Sequence, residues 1–332
     1  MNSIKKKIDN SIPHIIEKLG CFVNPVILNF KNENSRLLIF YFHGLYNSLS
    51  QKELNHVDPQ NNITVNQLIE FIDYFLVNNY IFVRPEDLSG NLQNDKSYAM
   101  ITFDDGYYNN NLAVNILNKY KIPATLFVTT RNIFETKSFW WDIIYKYRKR
   151  ESISLESIRQ EQSYLKKYKY PDIEKYIEQN FGKRAFDPWS DIDRPFSKSE
   201  LLEISQNPFI SIGNHTHNHA ILTNYSDEEV RDEFITSNKL LLDLLGSKPN
   251  TVAFPNGNFN NSILKIAQHE GFKYAFTTQN DINKLPISDN NKIISLNRFM
   301  VKTSRISKYG SFIRLNYSSD VLYSSLKKWI IS

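Results

Sequence analysis

Short apolar runs that break off at turn or polar residues alternate along this chain with segments of helical period. That alternation constrains the fold more than any other feature. Leu37–Phe42 has the pattern of a buried strand and stops at His43-Gly44. Val65, Leu68, Ile69, Ile72, Phe75 and Leu76 then recur at three-four spacing behind Thr64 and Gln67, a capping-box pair, which predicts a helix from Val65 to Leu76. Strands are expected at Tyr80–Val83, Tyr98–Phe103, Ala124–Thr129, Phe209–Ile212, Thr251–Phe254 and Tyr274–Thr277. Helices are expected at Leu112–Tyr120, Leu201–Ser205, Asp227–Leu245 and Ile263–Glu270. Strand and helix in such close alternation mean parallel strands joined by helical crossovers. A charged, helical stretch over residues 148–198 interrupts the rhythm and reads as an insertion over one end of a barrel. The expected organisation is an N-terminal extension over 1–36, a barrel over 37–301 and a basic tail over 302–332.

Composition narrows the class. Of 332 residues 41% are hydrophobic and 14% aromatic, enough for a sizeable core and too much for a disordered chain. A single cysteine, Cys21, excludes an internal disulfide and a Cys-built zinc site. No apolar run reaches the roughly 18 residues of a membrane span. Lys5-Lys6-Lys7 is followed by Asp9, Asn10, Pro13 and His14 where a signal peptide needs an apolar stretch. The expectation is a soluble, cytoplasmic protein.

Net charge is +5, and from Lys292 onward eight Lys/Arg face one acid, Asp320. A basic tail on a near-neutral body does not suit a general nucleic-acid binder, so no nucleic-acid partner is expected. Within the tail, Val321, Leu322, Leu326, Trp329 and Ile330 share one helical face. Two readings stay open there: an element packed on or beside the barrel, or a peripheral contact with the inner face of a membrane.

Chemistry concentrates at two strand ends. Thr102-Phe103-Asp104-Asp105-Gly106 sets adjacent carboxylates at the C-terminal end of a strand, where a parallel barrel carries its active site. Neighbouring side chains diverge along a strand, yet at a turn both can reach one site and do different work. His215 and His219, with His217 between them, follow another strand and take three of the seven histidines. Two imidazoles and one carboxylate can hold a metal and leave a position open, and the spare aspartate can serve as general base.

Taken together, Thr-Phe-Asp104-Asp105-Gly and His215-Thr216-x-x-His219 resemble the polysaccharide deacetylase family, the NodB-homology, carbohydrate esterase family 4-like enzymes. The likeness runs from about Ile39 to Val301. Lys121-Ile122-Pro123-Ala124-Thr125-Leu126-Phe127-Val128 is similar to the family's "IPATFFV" strand, and Ala253-Phe254-Pro255-Asn256-Gly257 to its "AYPNG" segment. The resemblance implies an α/β fold, a distorted (β/α) barrel with a helical insertion. It implies Asp105, His215 and His219 as ligands of a divalent metal, Zn2+ first, with Co2+, Ni2+ or Fe2+ as alternatives. Asp104 would be the base, and backbone N–H groups near Tyr107 would hold an oxyanion.

Two departures stand out. The family's Arg before its aromatic-x-Pro is missing at Ala253-Phe254-Pro255, and Arg298, after Ile293–Leu296, is expected to supply the guanidinium that orients Asp104. The late Leu-x-His that provides the general acid is also missing. His269 sits beside Glu270 on the polar face of a helix, so His43, ending its strand at the barrel mouth, is the acid expected. Substrate contact is expected from Tyr107, Trp140, Trp141, Pro255 and Asn256, although the run Phe139-Trp140-Trp141-Asp142 is equally a core pattern. The expected function is a metal-dependent hydrolase that removes an N-acetyl group from an amino sugar of a bacterial surface-polysaccharide precursor or glycan. The substrate would be nucleotide-linked, lipid-linked or an oligosaccharide. De-N-formylation, O-acetyl ester cleavage and catalytically silent carbohydrate binding are the alternatives.

Overall fold

The computed structural model describes residues 36–301 apart from 60–62, 91 and 288–291. The extension up to residue 35 and the basic tail from 302, with the apolar face Val321–Ile330, lie outside the described residues. Among the described residues twelve strands follow one another: β1 Arg36–Phe42, β2 Leu45–Tyr46, β3 Ile63–Thr64, β4 Ile81–Phe82, β5 Ser97–Phe103, β6 Ala124–Val128, β7 Ile210–Asn214, β8 Thr251–Ala253, β9 Tyr274–Phe276, β10 Asn283–Lys284, β11 Ile294–Leu296 and β12 Phe299–Met300.

β1, β5, β6, β7, β8, β9 and β11 neighbour one another in that order, each pair parallel. All seven residues of β1 are buried, as expected of a strand covered on both faces. β12 returns to pair with β1, although β11 pairs with β9. Only Asn297 and Arg298 separate those two strands, so the chain itself carries the sheet across its open edge. The result is a nearly closed, barrel-like sheet.

Register decides what meets at the mouth. Phe42 is paired with Phe103, and Asp104 N–H donates to Phe42 C=O at 2.9 Å, which sets His43 and Asp104 on adjacent strand ends. On the next strands Val128 is paired with Asn214, and His215 N–H donates to Val128 C=O at 3.0 Å. The Asp-Asp turn and the histidine segment therefore leave the sheet at the same end.

Helices cover the outside. Val65–Val77 is closed by the expected capping box: Gln67 N–H donates to Thr64 Oγ1, and Thr64 N–H to Gln67 Oε1. Its stripe Leu68, Phe71, Ile72 and Phe75 buries against Phe40 and Phe42 of β1. Between β6 and β7 lie the helices Trp140–Arg150, Leu155–Leu165 and Tyr170–Phe181, with a core of their own that includes Trp140, Ile144, Ile158, Leu165 and Ile177. Residue 148 falls inside the first of these helices. The helical unit starts earlier, at Trp140, because the aromatic run continues into Ile143 and Ile144 at helical spacing. A guanidinium fork from Arg159 to Asp58 fastens this unit to the segment between β2 and β3, and a buried Lys146–Asp193 ion pair at 2.7 Å ties its first helix to the chain that leads on to β7. Among the described residues, no helix is long and apolar enough to cross a membrane.

Candidate active site

Asp105 turns out of line with its neighbour. It has a φ of 75°, in the left-handed region, and its C=O accepts Thr129 N–H at 3.1 Å, which holds the turn. Gly106 follows at a φ of 89°, where a Cβ would stand 3.2 Å from Val128 Cγ1. The two aspartates consequently face different partners.

Asp105 Oδ1 lies 3.4 Å from His215 Nε2 and 3.3 Å from His219 Nε2, and the three side chains bring one ligand atom each within 4.8 Å of the others. His215 Nδ1 bonds Ala253 C=O at 2.8 Å. A carbonyl only accepts, so Nδ1 carries the proton and Nε2 offers a lone pair to the site. Asp105 Oδ1 is buried and has no hydrogen-bond donor of ordinary geometry among the described residues. Burial lowers the His219 pKa, with the charges of His215 and Lys166 adding to it and Asp105 opposing, which favours a neutral imidazole. Burial would raise the Asp105 carboxyl, but the two imidazoles outweigh it and hold it far below the usual carboxylate range. A carboxylate oxygen and two imidazole nitrogens that converge in this way form a donor set that suits a divalent ion.

The loop that carries the histidines is held from behind. Thr216 N–H donates to Asn214 Oδ1 at 2.7 Å and Ala220 N–H to Thr216 Oγ1 at 2.9 Å. Glu233, on the buried face of the helix Asp227–Leu245, accepts His217 N–H and Asn218 N–H at 2.9 Å each, and the Asn218 side-chain amide. Sequence reasoning passed over Glu233. The available signal was an acid among Val230, Phe234, Ser237 and Leu241 on the inward stripe, where a charge needs a stated partner. Glu233→Ala is expected to weaken metal binding about 10- to 100-fold, read by titration of the metal-free protein, and Glu233→Gln to weaken it less. Unchanged affinity in Glu233→Ala would remove this carboxylate from the support of the histidine loop.

Asp104 meets Arg298. The fully buried guanidinium donates from Nη1 to Oδ1 at 2.7 Å and from Nη2 to Oδ2 at 2.8 Å. It also donates from Nε to Thr277 C=O at 2.9 Å and from Nη1 to Thr102 Oγ1 at 3.1 Å, so its plane is set on three sides. Burial alone would raise the Asp104 carboxyl; Arg298 and then His215 overcome this and leave it below its ordinary pKa. Arg298 stands in this position because it lies on the two-residue crossover that closes the sheet.

Asp104, Asp105, His215 and His219 line one cavity of about 710 Å³, together with His43, Tyr107, Trp140, Trp141, Asn256 and, from the insertion, Arg159 and Lys166. His43 is half-buried; its C=O accepts Asn110 Nδ2 at 2.7 Å, and its Nδ1 is buried without a partner among the described residues. Trp141 lies with its ring centroid 4.4 Å from that of His219. Tyr107 is buried: its hydroxyl donates to Asp142 Oδ2 at 2.5 Å and accepts Trp141 Nε1–H at 2.9 Å. Trp140 reaches the cavity wall but is mostly packed in the insertion core. Pro255 is buried and outside the cavity lining, since it opens the tight turn that carries Asn256 to the wall at a φ of 57°. Arg159, Gln162 and Lys166 were not singled out from sequence. Their spacing of three and then four does put them on one face of a helix.

Residues 91–275, more than half of the chain, match the sequence model of the family described as polysaccharide deacetylase. The chain belongs to the polysaccharide deacetylase family. Of curated proteins of this family, YxkH of Bacillus subtilis (strain 168) is 23% identical over 207 residues, which are 61% of this chain and 53% of YxkH. The chain thus spans about half the length of the curated relative it matches. Solved polysaccharide deacetylase-type structures share the fold. The Streptococcus pyogenes deacetylase PplD, solved with acetate, has a TM-score of 0.57 at 20% identity, covering 85% of this chain and 97% of PplD. A de-N-acetylase from Aggregatibacter actinomycetemcomitans has a TM-score of 0.56 at 17% identity, covering 85% and 99%. IcaB from Ammonifex degensii also reaches 0.56, at 16% identity, covering 84% and 97%.

Proposed function

We propose that this deacetylase-family chain is a metal-dependent hydrolase that removes an N-acetyl group from an amino sugar, a building block or segment of a bacterial surface polysaccharide. One observation carries the reading: a carboxylate forked by a buried arginine stands one residue from a carboxylate that converges with two imidazoles. Asp105, His215 and His219 would hold the metal, which supplies electrophilic polarisation of the acyl carbonyl when bound. Asp104, kept ionised by Arg298, is the general base and takes a proton from the attacking water at a carboxylate oxygen. His43, on the neighbouring strand end, delivers a proton to the departing amine, which makes the C–N cleavage complete. Trp141 offers an aromatic face for a sugar ring, and a backbone N–H near Tyr107 would hold the developing oxyanion.

Chelation should abolish acetate release from N-acetylated sugars, and zinc or cobalt should restore it in step with metal content measured by mass spectrometry. Full activity in protein shown to be metal-free would overturn the reading.

A further inference from the structure

The insertion contributes a charge to the cavity that the deacetylation chemistry does not use. Lys166 follows directly on the helix Leu155–Leu165, where a lysine commonly turns back to the last carbonyls. Its Nζ instead donates to Asn256 Oδ1 at 2.8 Å, across to the barrel loop after β8. The other charges of the wall are matched. Arg159 forks Asp58, which also accepts Gln162 Nε2–H at 2.9 Å; Arg298 forks Asp104; Asp105 belongs to the histidine cluster. Among the described residues Lys166 has no carboxylate partner, only the neutral amide.

The turn that carries the amide is firmly placed. Gly257, next to Asn256, has a φ of 72°, and a Cβ there would fall 1.8 Å from Thr278 Oγ1, so the turn is pressed against the neighbouring loop. The ammonium lies at the open mouth of the cavity, and the charge of Lys166 is felt at His219. A divalent ion at Asp105 would add positive charge to the same cavity. A cavity with that surplus concentrates anions.

We propose that Lys166 recognises an anionic substituent of the substrate, phosphoryl or carboxylate oxygens joined to the amino sugar, at the wall built by the insertion. This rests on the hydrolase reading above. Asn256 holds the ammonium in place until the oxyanion takes its hydrogen bonds, and Trp141 lines the cavity on the way to the histidines.

The test compares acetate release from three sugars: a nucleoside-diphosphate N-acetylglucosamine, N-acetylmuramic acid and a neutral methyl N-acetylglucosaminide. With the native metal-loaded protein, one of the anionic sugars is expected to exceed the neutral one in kcat/KM by about tenfold or more. Lys166→Gln should bring that ratio to about one, and Lys166→Arg should keep most of it. Preference for the diphosphate identifies phosphoryl, and preference for the muramic acid identifies carboxylate. Inorganic pyrophosphate and acetate, titrated calorimetrically at low ionic strength, give a readout that needs no turnover: the preferred anion should bind about tenfold more weakly to Lys166→Gln. An anionic-to-neutral ratio unchanged by Lys166→Gln, with anion binding also unchanged, overturns the proposal while leaving the hydrolase reading intact. Absence of acetate release from every sugar defeats the hydrolase reading, and the anion titration then decides the role of Lys166 alone.

Discussion

Asp104→Asn is expected to lower kcat for acetate release by about 10²- to 10⁴-fold, with metal content unchanged. The substitution keeps the shape of the side chain and removes its charge. The Asn amide can accept from one arm of Arg298, but its NH2 group faces the other arm, donor to donor, where Oδ1 and Oδ2 now accept at 2.7 and 2.8 Å. The proton acceptor of the proposed reaction is lost. Asp105, His215 and His219 make no use of Asp104 in their own cluster, so metal binding should be retained. Steady-state kinetics on protein of verified metal content measure the effect. A kcat within about threefold of the native value is too small for a general base and would assign that task elsewhere.

Arg298→Met is expected to be the most damaging single change to stability. Both partners are buried, and removing the cation leaves the Asp104 carboxylate uncompensated inside the barrel, a situation that costs about 3–5 kcal/mol. Thr277 C=O and Thr102 Oγ1 lose their donor in the same step. For a domain of this size the loss corresponds to a fall in Tm of roughly 6–20 °C. The double variant Arg298→Met/Asp104→Asn should recover part of it, because no buried charge is then left alone. Thermal melts of the native protein, both single variants and the double variant provide the cycle. A double variant no more stable than Arg298→Met alone would mean that the guanidinium acts through packing over Tyr41, whose ring centre is 4.6 Å away, and not through charge.

Much of the barrel could be read from the chain because parallel strands buried on both faces leave unbroken apolar runs, and the polar residue that ends each run marks the mouth. Leu37–Phe42 ending at His43 and Tyr98–Phe103 ending at Asp104 are of this kind, and the register between β1 and β5 brings the two ends together. What could not be read depends on faces and directions. The aromatic run at Phe139–Trp141 looks the same whether it floors a binding cleft or nucleates a helical core. Tertiary packing puts Trp140 mainly in the second and leaves Trp141 in the cavity. Arg159, Gln162 and Lys166 form a polar helical stripe, and such a stripe faces solvent by default. Only the placement of the insertion over the barrel turns it toward the cavity. Glu233 was hidden for a similar reason: its partners are backbone N–H groups of a loop, and no sequence pattern reports where a loop's amides point.

The two-residue crossover between β11 and β12 has a consequence for the order in which the protein becomes complete. Asp104, Asp105, His215 and His219 are all made before Arg298 leaves the ribosome. A nascent chain can therefore gather the histidine cluster while Asp104 still lacks its counter-ion and the sheet still has an open edge. The same short segment then supplies both, so the Asp104 carboxylate gains its counter-ion only as the barrel shuts. Closure of the sheet and pairing of the Asp104 carboxylate thus depend on one and the same two-residue segment.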